Sequence, residues 1–274
     1  MTNTQPRNTE VRPRFNELPF GYIQHGNAEQ LECDQCEGIY YQRYYATPDQ
    51  WFITERTPCS CMIPILQQGE RERQLKERQI WRNNILNGID KYFRNYNLMT
   101  DQTHGHMTLN SYEPSHPSQA EALKELKLYR GDKSICLYGK QGRGKTHLAI
   151  GAAREVYKQG KTVLAVKVID LLDTIKRTYD RKDEKSEAQV LYVLRNVDLL
   201  LIDDIGQEQS TEWAKSKFYE IIDYRHKRKA TIFTTNMSGA ETEKKEGAGL
   251  VSRIMGTELI FRIEGDKDYR LTGR

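Results

Sequence analysis

Residues 134–149 read SICLYGKQGRGKTHLA, and this stretch decides the fold. SICLY has the length and apolar character of a buried strand. Gly139, Gly144, Lys145 and Thr146 then satisfy G-x-x-x-x-G-K-[ST], and THLAIGAAREVY continues with helical periodicity. Strand, glycine-rich loop and helix, in that order, is how a phosphate site is built. Glycines let the backbone close around phosphate oxygens, while the first turn of the helix offers unpaired N–H groups and a favourable dipole. Gly139, Gly142, Gly144, Lys145, Thr146 and His147 are the candidate nucleotide-binding set. Lys145 is expected to reach the β- and γ-phosphates of a nucleoside triphosphate, and Thr146 to offer its hydroxyl to Mg²⁺.

Working outward, short apolar runs at 162–168, 199–203, 231–235 and 258–263 alternate with amphipathic stretches near 145–159, 170–179, 186–196 and 211–228. That alternation predicts an α/β domain over 119–274 with a five-stranded parallel sheet. The run LLLID leads into Asp203 and Asp204. Ligands of open α/β sheets collect at the carboxyl ends of strands, so Asp203 is the expected Mg²⁺-side acid. Asp204 becomes the candidate to orient or activate the attacking water. The repulsion between the two acids is expected to be relieved by the cation and by side chains on opposite faces of the strand. TIFTTN ends in Asn236, a neutral donor suited to the γ-phosphate or the water, or simply a cap on the following turn.

The preceding part of the chain differs. Of 274 residues, 42 are Lys or Arg and 38 Asp or Glu, for a formal charge of +4. Positions 1–125 hold 13 basic and 16 acidic residues, so the basic excess lies in the remainder and favours an anionic partner there. The first 30 residues are polar and proline-containing, without a signal-peptide core, and no run approaches 18 apolar residues. A soluble, cytoplasmic protein with no membrane association is expected. Cys33, Cys36, Cys59 and Cys61 fall in one window, the number and type of ligands for a closed Zn²⁺ site, with His25 as a possible substitute ligand. Residues 31–95 are accordingly expected to form a zinc-binding module followed by a helix, whose later half places Trp81, Ile85, Ile89, Tyr92 and Phe93 on one face. Gly88, a weak helix former, falls within that pattern. Residues 96–118, polar and containing His104, His106 and His116, are expected to be a linker.

Taken together, TLNSYEP with QAEALKELKLY, YGKQGRGKTHLA, LLLIDDIGQEQSTEW, YEIIDYRHKR, TIFTTN and GLVSRIMG resemble AAA+ ATPases of the DnaC/DnaI helicase-loader type, relatives of DnaA and IstB, over roughly 108–270. The resemblance implies that Asn236 is sensor 1, that Arg253 is an arginine finger completing a neighbouring subunit's site in an ATP-dependent homo-oligomer, and that Arg270 stands where sensor 2 is expected. With the sequence ending at 274, little or no room is expected for the C-terminal helical lid seen in many AAA+ proteins. Between the second and third strands of the sheet, Lys176, Arg177, Tyr179, Arg181 and Lys182 resemble a segment that touches single-stranded DNA, interleaved here with Asp180, Asp183 and Glu184. It further implies an N-terminal module that grips a DnaB-type replicative helicase. The expected function is ATP-dependent delivery of that ring onto single-stranded DNA. An IstB-like transposition accessory ATPase, a P-loop small-molecule kinase and a nucleotide-gated binding protein that scarcely hydrolyses remain alternatives.

Overall fold

The computed structural model describes residues 29–32, 36–46, 51–56, 61, 63–179, 186–207 and 211–265. Two compact units divide the chain, residues 1–79 and 80–274. In the first, β1 (Glu29–Glu32), β2 (Ile39–Ala46) and β3 (Trp51–Arg56) form an antiparallel meander in that order. IYYQRYYA and WFITER are rich in aromatic and β-branched residues, which suit a pleated surface. The cysteine window therefore carries strands as well as thiols. Cys33 and Cys59 lie outside the described residues, and Cys36 and Cys61 are half-buried.

Helix α1 (Ile63–Phe93) begins in the first unit and ends in the second. Its expected stripe is buried at Ile85, Ile89, Tyr92 and Phe93. The helix runs through Gly88 without a break, because glycine is needed there for another reason. A Cβ at Gly88 would lie 2.4 Å from Cγ2 of Val193 on α5 (Glu187–Asn196). The same face that the spacing of apolar residues marks as core thus includes the glycine that lets two helices approach.

The second unit is built on a parallel sheet of β4 (Ile135–Tyr138), β5 (Val163–Lys167), β6 (Leu199–Ile205), β7 (Ala230–Thr235) and β8 (Leu259–Arg262). The strand order is β5-β6-β7-β4-β8. Each expected strand is present to within two residues at either end. Alternate strand residues feed two cores, as expected for strands covered on both faces. Leu164, Val166, Leu200 and Ile202 face α1, α4 (Val168–Arg177), α5, α6 (Glu212–Arg225) and α8 (Ala248–Met255). Val163, Ala165, Leu199 and Leu201 face α2 (Pro117–Leu128) and α3 (Lys145–Lys158). Helix α7 (Gly239–Glu246) starts at Ser238 with a reciprocal capping box to Glu241.

Residues 96–118, expected to be a linker, belong to the second unit and pack into it. Leu98, Leu109 and Tyr112 are buried in the α2/α3 core, and the Leu98 N–H donates to Ala165 O at 2.8 Å. His116 caps α2, accepting from the Ser118 N–H at 3.2 Å. The compact unit therefore starts well before residue 119.

At the end of the sheet where the strands begin, Arg225 is 1% exposed. Its guanidinium donates to the carbonyls of Leu194, Val197 and Ala230 and, at 3.0 Å, to the Thr231 hydroxyl. Burial pulls its pKa down to about 9, so it stays charged at neutral pH and satisfies the carbonyls that end α5. No helix among the described residues is long and apolar enough to cross a membrane.

Candidate nucleotide site

The loop between β4 and α3 holds its glycines where other residues would be strained or would clash. Gly142 and Gly144 have φ of 75° and 84°, in the left-handed region. A Cβ at Gly144 would also lie 2.7 Å from the Tyr112 ring. Gly144 is the N-cap of α3 and supplies no side-chain cap, so the first N–H groups of that helix face the loop. Lys145, 5% exposed, donates to Gly139 O at 2.8 Å, Lys140 O at 2.9 Å and Asn236 Oδ1 at 2.7 Å. One residue from the loop thus touches the residue expected to sense its occupant. The contact exists because β7 is inserted between β4 and β6, placing Asn236 beside the loop.

Two strands away, Asp203 is 1% exposed and accepts hydrogen bonds from the hydroxyls of Thr146, at 2.9 Å, and Thr234, at 2.6 Å. Burial first, and then the Asp204 carboxylate, raise its pKa; the two hydroxyls and the Lys167 ammonium oppose the rise. Thr146, Asp203 and Thr234 form a compact set of hard oxygen donors around a carboxylate that needs a compensating cation. This donor chemistry fits Mg²⁺.

The expectation that Asp203 and Asp204 face opposite sides of the strand is corrected by the structure. Between Ile202 and Ile205 the register with β7 shifts, because two residues of β6 stand where β7 supplies one. Asp204 adopts φ 58°, and its N–H donates to the Thr234 hydroxyl at 2.9 Å. The bulge breaks the simple alternation of the pleat, and both carboxylates line one cavity of about 520 Å³.

That cavity also includes Gly142, Gly144, Lys145, Thr146, His147 and Asn236, so the loop, acid and amide residues picked from the sequence converge. Gly139 lines a separate cleft on the β8 side of the loop. The other wall comes from the expected linker: His104, His106, Ser111 and Tyr112. His147 Nε2 lies 2.9 Å from Thr108 O and 3.2 Å from Ser111 Oγ, and its ring meets that of Tyr112 edge-on with centroids 5.1 Å apart. His147 therefore fastens this segment to the start of α3.

The remaining expected site residues are elsewhere. Arg253, on α8, is not part of the cavity wall. It pairs with Asp223 through Nε at 2.8 Å, donates to Gly249 O at 2.9 Å, and lies 4.6 Å from the Tyr219 ring centroid. Lys176, Arg177 and Tyr179 are exposed at the end of α4. Arg177 pairs with Asp173 at 2.7 Å, and the Tyr179 hydroxyl accepts from the Trp213 indole at 3.3 Å. Arg181, Lys182 and Arg270 lie outside the described residues. Among the described residues no group of three or more His, Cys, Asp or Glu could hold a metal ion, so the zinc site is not shown.

The sequence reading missed Thr234, Tyr112 and Lys167. Lys167 carried a usable signal: like Asp203, it is a charged residue that directly follows four buried apolar residues of a strand.

Comparison with known proteins agrees with this architecture. The family model for the IstB-like ATP binding protein matches residues 72–263. The replicative helicase loader DnaC of Escherichia coli (strain K12) is 32% identical over 180 residues, spanning 62% of this chain and 73% of DnaC. A crystal structure of the DnaC helicase loader superposes with a TM-score of 0.52 at 26% identity, covering 60% of this chain and 100% of that one. AMPPCP-bound DnaA from Aquifex aeolicus gives a TM-score of 0.52 at 25% identity, covering 62% of this chain and 54% of that one. The chain belongs to the family of IstB-like ATP binding proteins, with replicative helicase loaders of the DnaC type among its relatives.

Proposed function

We propose that this protein is an ATP-dependent loader that delivers a ring-shaped, DnaB-type replicative helicase onto single-stranded DNA. The observation that carries the reading is similarity to a helicase loader across 73% of that loader's length. The geometry of the loop, the paired acids and Asn236 supports an ATPase cycle behind it.

In this reading Lys145 and the N–H groups opening α3 bind the phosphates. Thr146 and Asp203 would hold Mg²⁺, which when bound offsets phosphate charge. Asp204, held by the Thr234 hydroxyl on the bulge, orients the attacking water and accepts its proton. Asn236 exchanges its bond to Lys145 for one to the γ-phosphate or the water. Arg253, outside its own chain's cavity wall, completes a neighbouring subunit's site, so turnover depends on ATP-driven assembly. Lys176, Arg177, Tyr179, Arg181 and Lys182 contact single-stranded DNA through charge and stacking. Cys33, Cys36, Cys59 and Cys61 hold Zn²⁺ in a module that grips the helicase, and Arg270 serves as sensor 2.

A second reading, a transposition accessory ATPase, is favoured by the name of the matching family. Loading assays separate the two. Purified protein, ATP and a DnaB-type helicase should together produce unwinding of a forked substrate whose single strand is coated with binding protein, and Lys145→Ala should abolish it. No stimulation of the helicase, with a transposase co-purifying instead, would overturn the loader.

A further inference from the structure

Lys167 closes β5 after four buried apolar residues and stands opposite Asp203 in the parallel register of β5 and β6. Register partners in a parallel pair project to the same face, so the ammonium and the carboxylate share the side on which α3 packs. Two cavities meet at this point. One is the nucleotide cavity of about 520 Å³; the other, of about 210 Å³, is walled in part by Gln141 at the tip of the glycine-rich loop. Lys167, Asp204 and Asn236 line both.

The two lysines of the site are differently engaged. Lys145 donates to two loop carbonyls and to Asn236. Among the described residues, no hydrogen bond or ion pair holds the Lys167 ammonium. A phosphate chain seated on the N-terminus of α3 extends toward the strand tips, where Asp203 and Asp204 present two like charges to its terminal group. One divalent ion offsets part of that repulsion. A compact ammonium on a flexible stem, placed one strand beyond the acids, is suited to offset the rest.

We propose that Lys167 is a specificity-determining residue of this site, contacting the terminal phosphate of a nucleoside triphosphate from within the same chain. The site then distinguishes triphosphate from diphosphate before any second subunit docks. This rests on the nucleotide reading of the loop. The same ammonium opposes the burial-driven rise in the Asp203 carboxyl, in keeping with its position.

The test is to measure affinities of wild type, Lys167→Met and Lys167→Arg for Mg·ADP and for Mg²⁺ with a non-hydrolysable ATP analogue, at protein concentrations that keep the chain monomeric. Lys167→Met is expected to weaken analogue binding by roughly tenfold to a hundredfold, the range for a hydrogen bond to a charged group, and to leave ADP affinity unchanged. Retained ADP binding also shows that the variant folds. Lys167→Arg should keep most of the discrimination. Equal weakening of both nucleotides, or no change in either, overturns the proposal alone, because Lys167 then only offsets the acids. Wild type that binds neither nucleotide overturns the nucleotide reading and the proposal with it.

Discussion

Replacing Asp203 by Asn should make the ligand-free protein more stable and its Mg²⁺-dependent nucleotide function worse. The Asn oxygen can still accept from the Thr146 and Thr234 hydroxyls, now at 2.9 and 2.6 Å, so little hydrogen bonding is lost. What disappears is a carboxylate only 1% exposed beside a second carboxylate. Relieving such a functional-site conflict is worth about 1–2 kcal/mol, or about 2–8 °C in Tm for a unit of this size. The pH dependence carries a sign. Because the folded pKa of Asp203 is raised above the unfolded 3.8, the folded state holds the extra proton between those values, and its stability is lost as pH rises through the folded pKa. The advantage of Asp203→Asn should thus shrink as pH falls toward 3.8 and grow as pH rises above it. Mg·ATP at about 100 times its Kd adds about 2.7 kcal/mol to the wild type alone, so the stability ranking inverts with ligand. Thermal unfolding at several pH values, with and without Mg·ATP, reads all of this. An Asn variant no more stable than wild type at neutral pH, or equally favoured at pH 3.8, would refute the reasoning.

Asp204→Asn should leave ATP affinity near wild type and slow hydrolysis by about 100-fold or more, the usual loss when a general base is removed; rapid-quench turnover checks it. At the contact between α1 and α5, Gly88→Ala forces a methyl against Val193 and should cost about 1–3 kcal/mol despite the better helix propensity of Ala. Val193→Ala in the same chain should recover part of that loss, and denaturant unfolding of the double-mutant cycle measures it. Arg225→Met leaves the carbonyls of Leu194, Val197 and Ala230 without their donor and should cost about 3 kcal/mol or more, seen as a lower urea midpoint. Wild-type m-values in that variant would show that only stability changed.

The parts of this fold visible in the sequence are those where one physical requirement acts alone. Strands covered on both faces must be continuously apolar, so VLAV and LLLI announce themselves, and each ends at a charged residue. The glycine-rich loop is visible because no other backbone can take its turns. Residues 96–118 were obscure for the opposite reason: Leu98, Leu109 and Tyr112 are buried from a polar stretch with too few apolar residues to sustain a helix or strand pattern. Gly88 carried two meanings, weak helix former and close-contact residue, and only the position of Val193 decides between them. The bulge at Asp203 and Asp204 depends on Thr234, 30 residues away, and a local reading of the pleat could not contain it. Lys167 was passed over because a lone lysine after a strand belongs to no motif; its partner in the register supplies the meaning.

The insertion of β7 between β4 and β6 also sets a ruler. Neighbouring strands stand about 4.8 Å apart, so the tips of β4 and β6, from which the glycine-rich loop and the paired acids arise, are separated by roughly 10 Å, a distance fixed by main-chain pairing and not by any side chain. Across the strand tips the charges follow the order cation, anions, neutral amide, cation, from Lys167 through Asp203 and Asp204 to Asn236 and Lys145. Point substitutions can alter the chemistry at one mark of this scale but cannot move the marks. A carboxylate transplanted to the tip of β7 would be a whole strand spacing nearer to the loop, so the span over which this site recognises its ligand is inherited from the sheet.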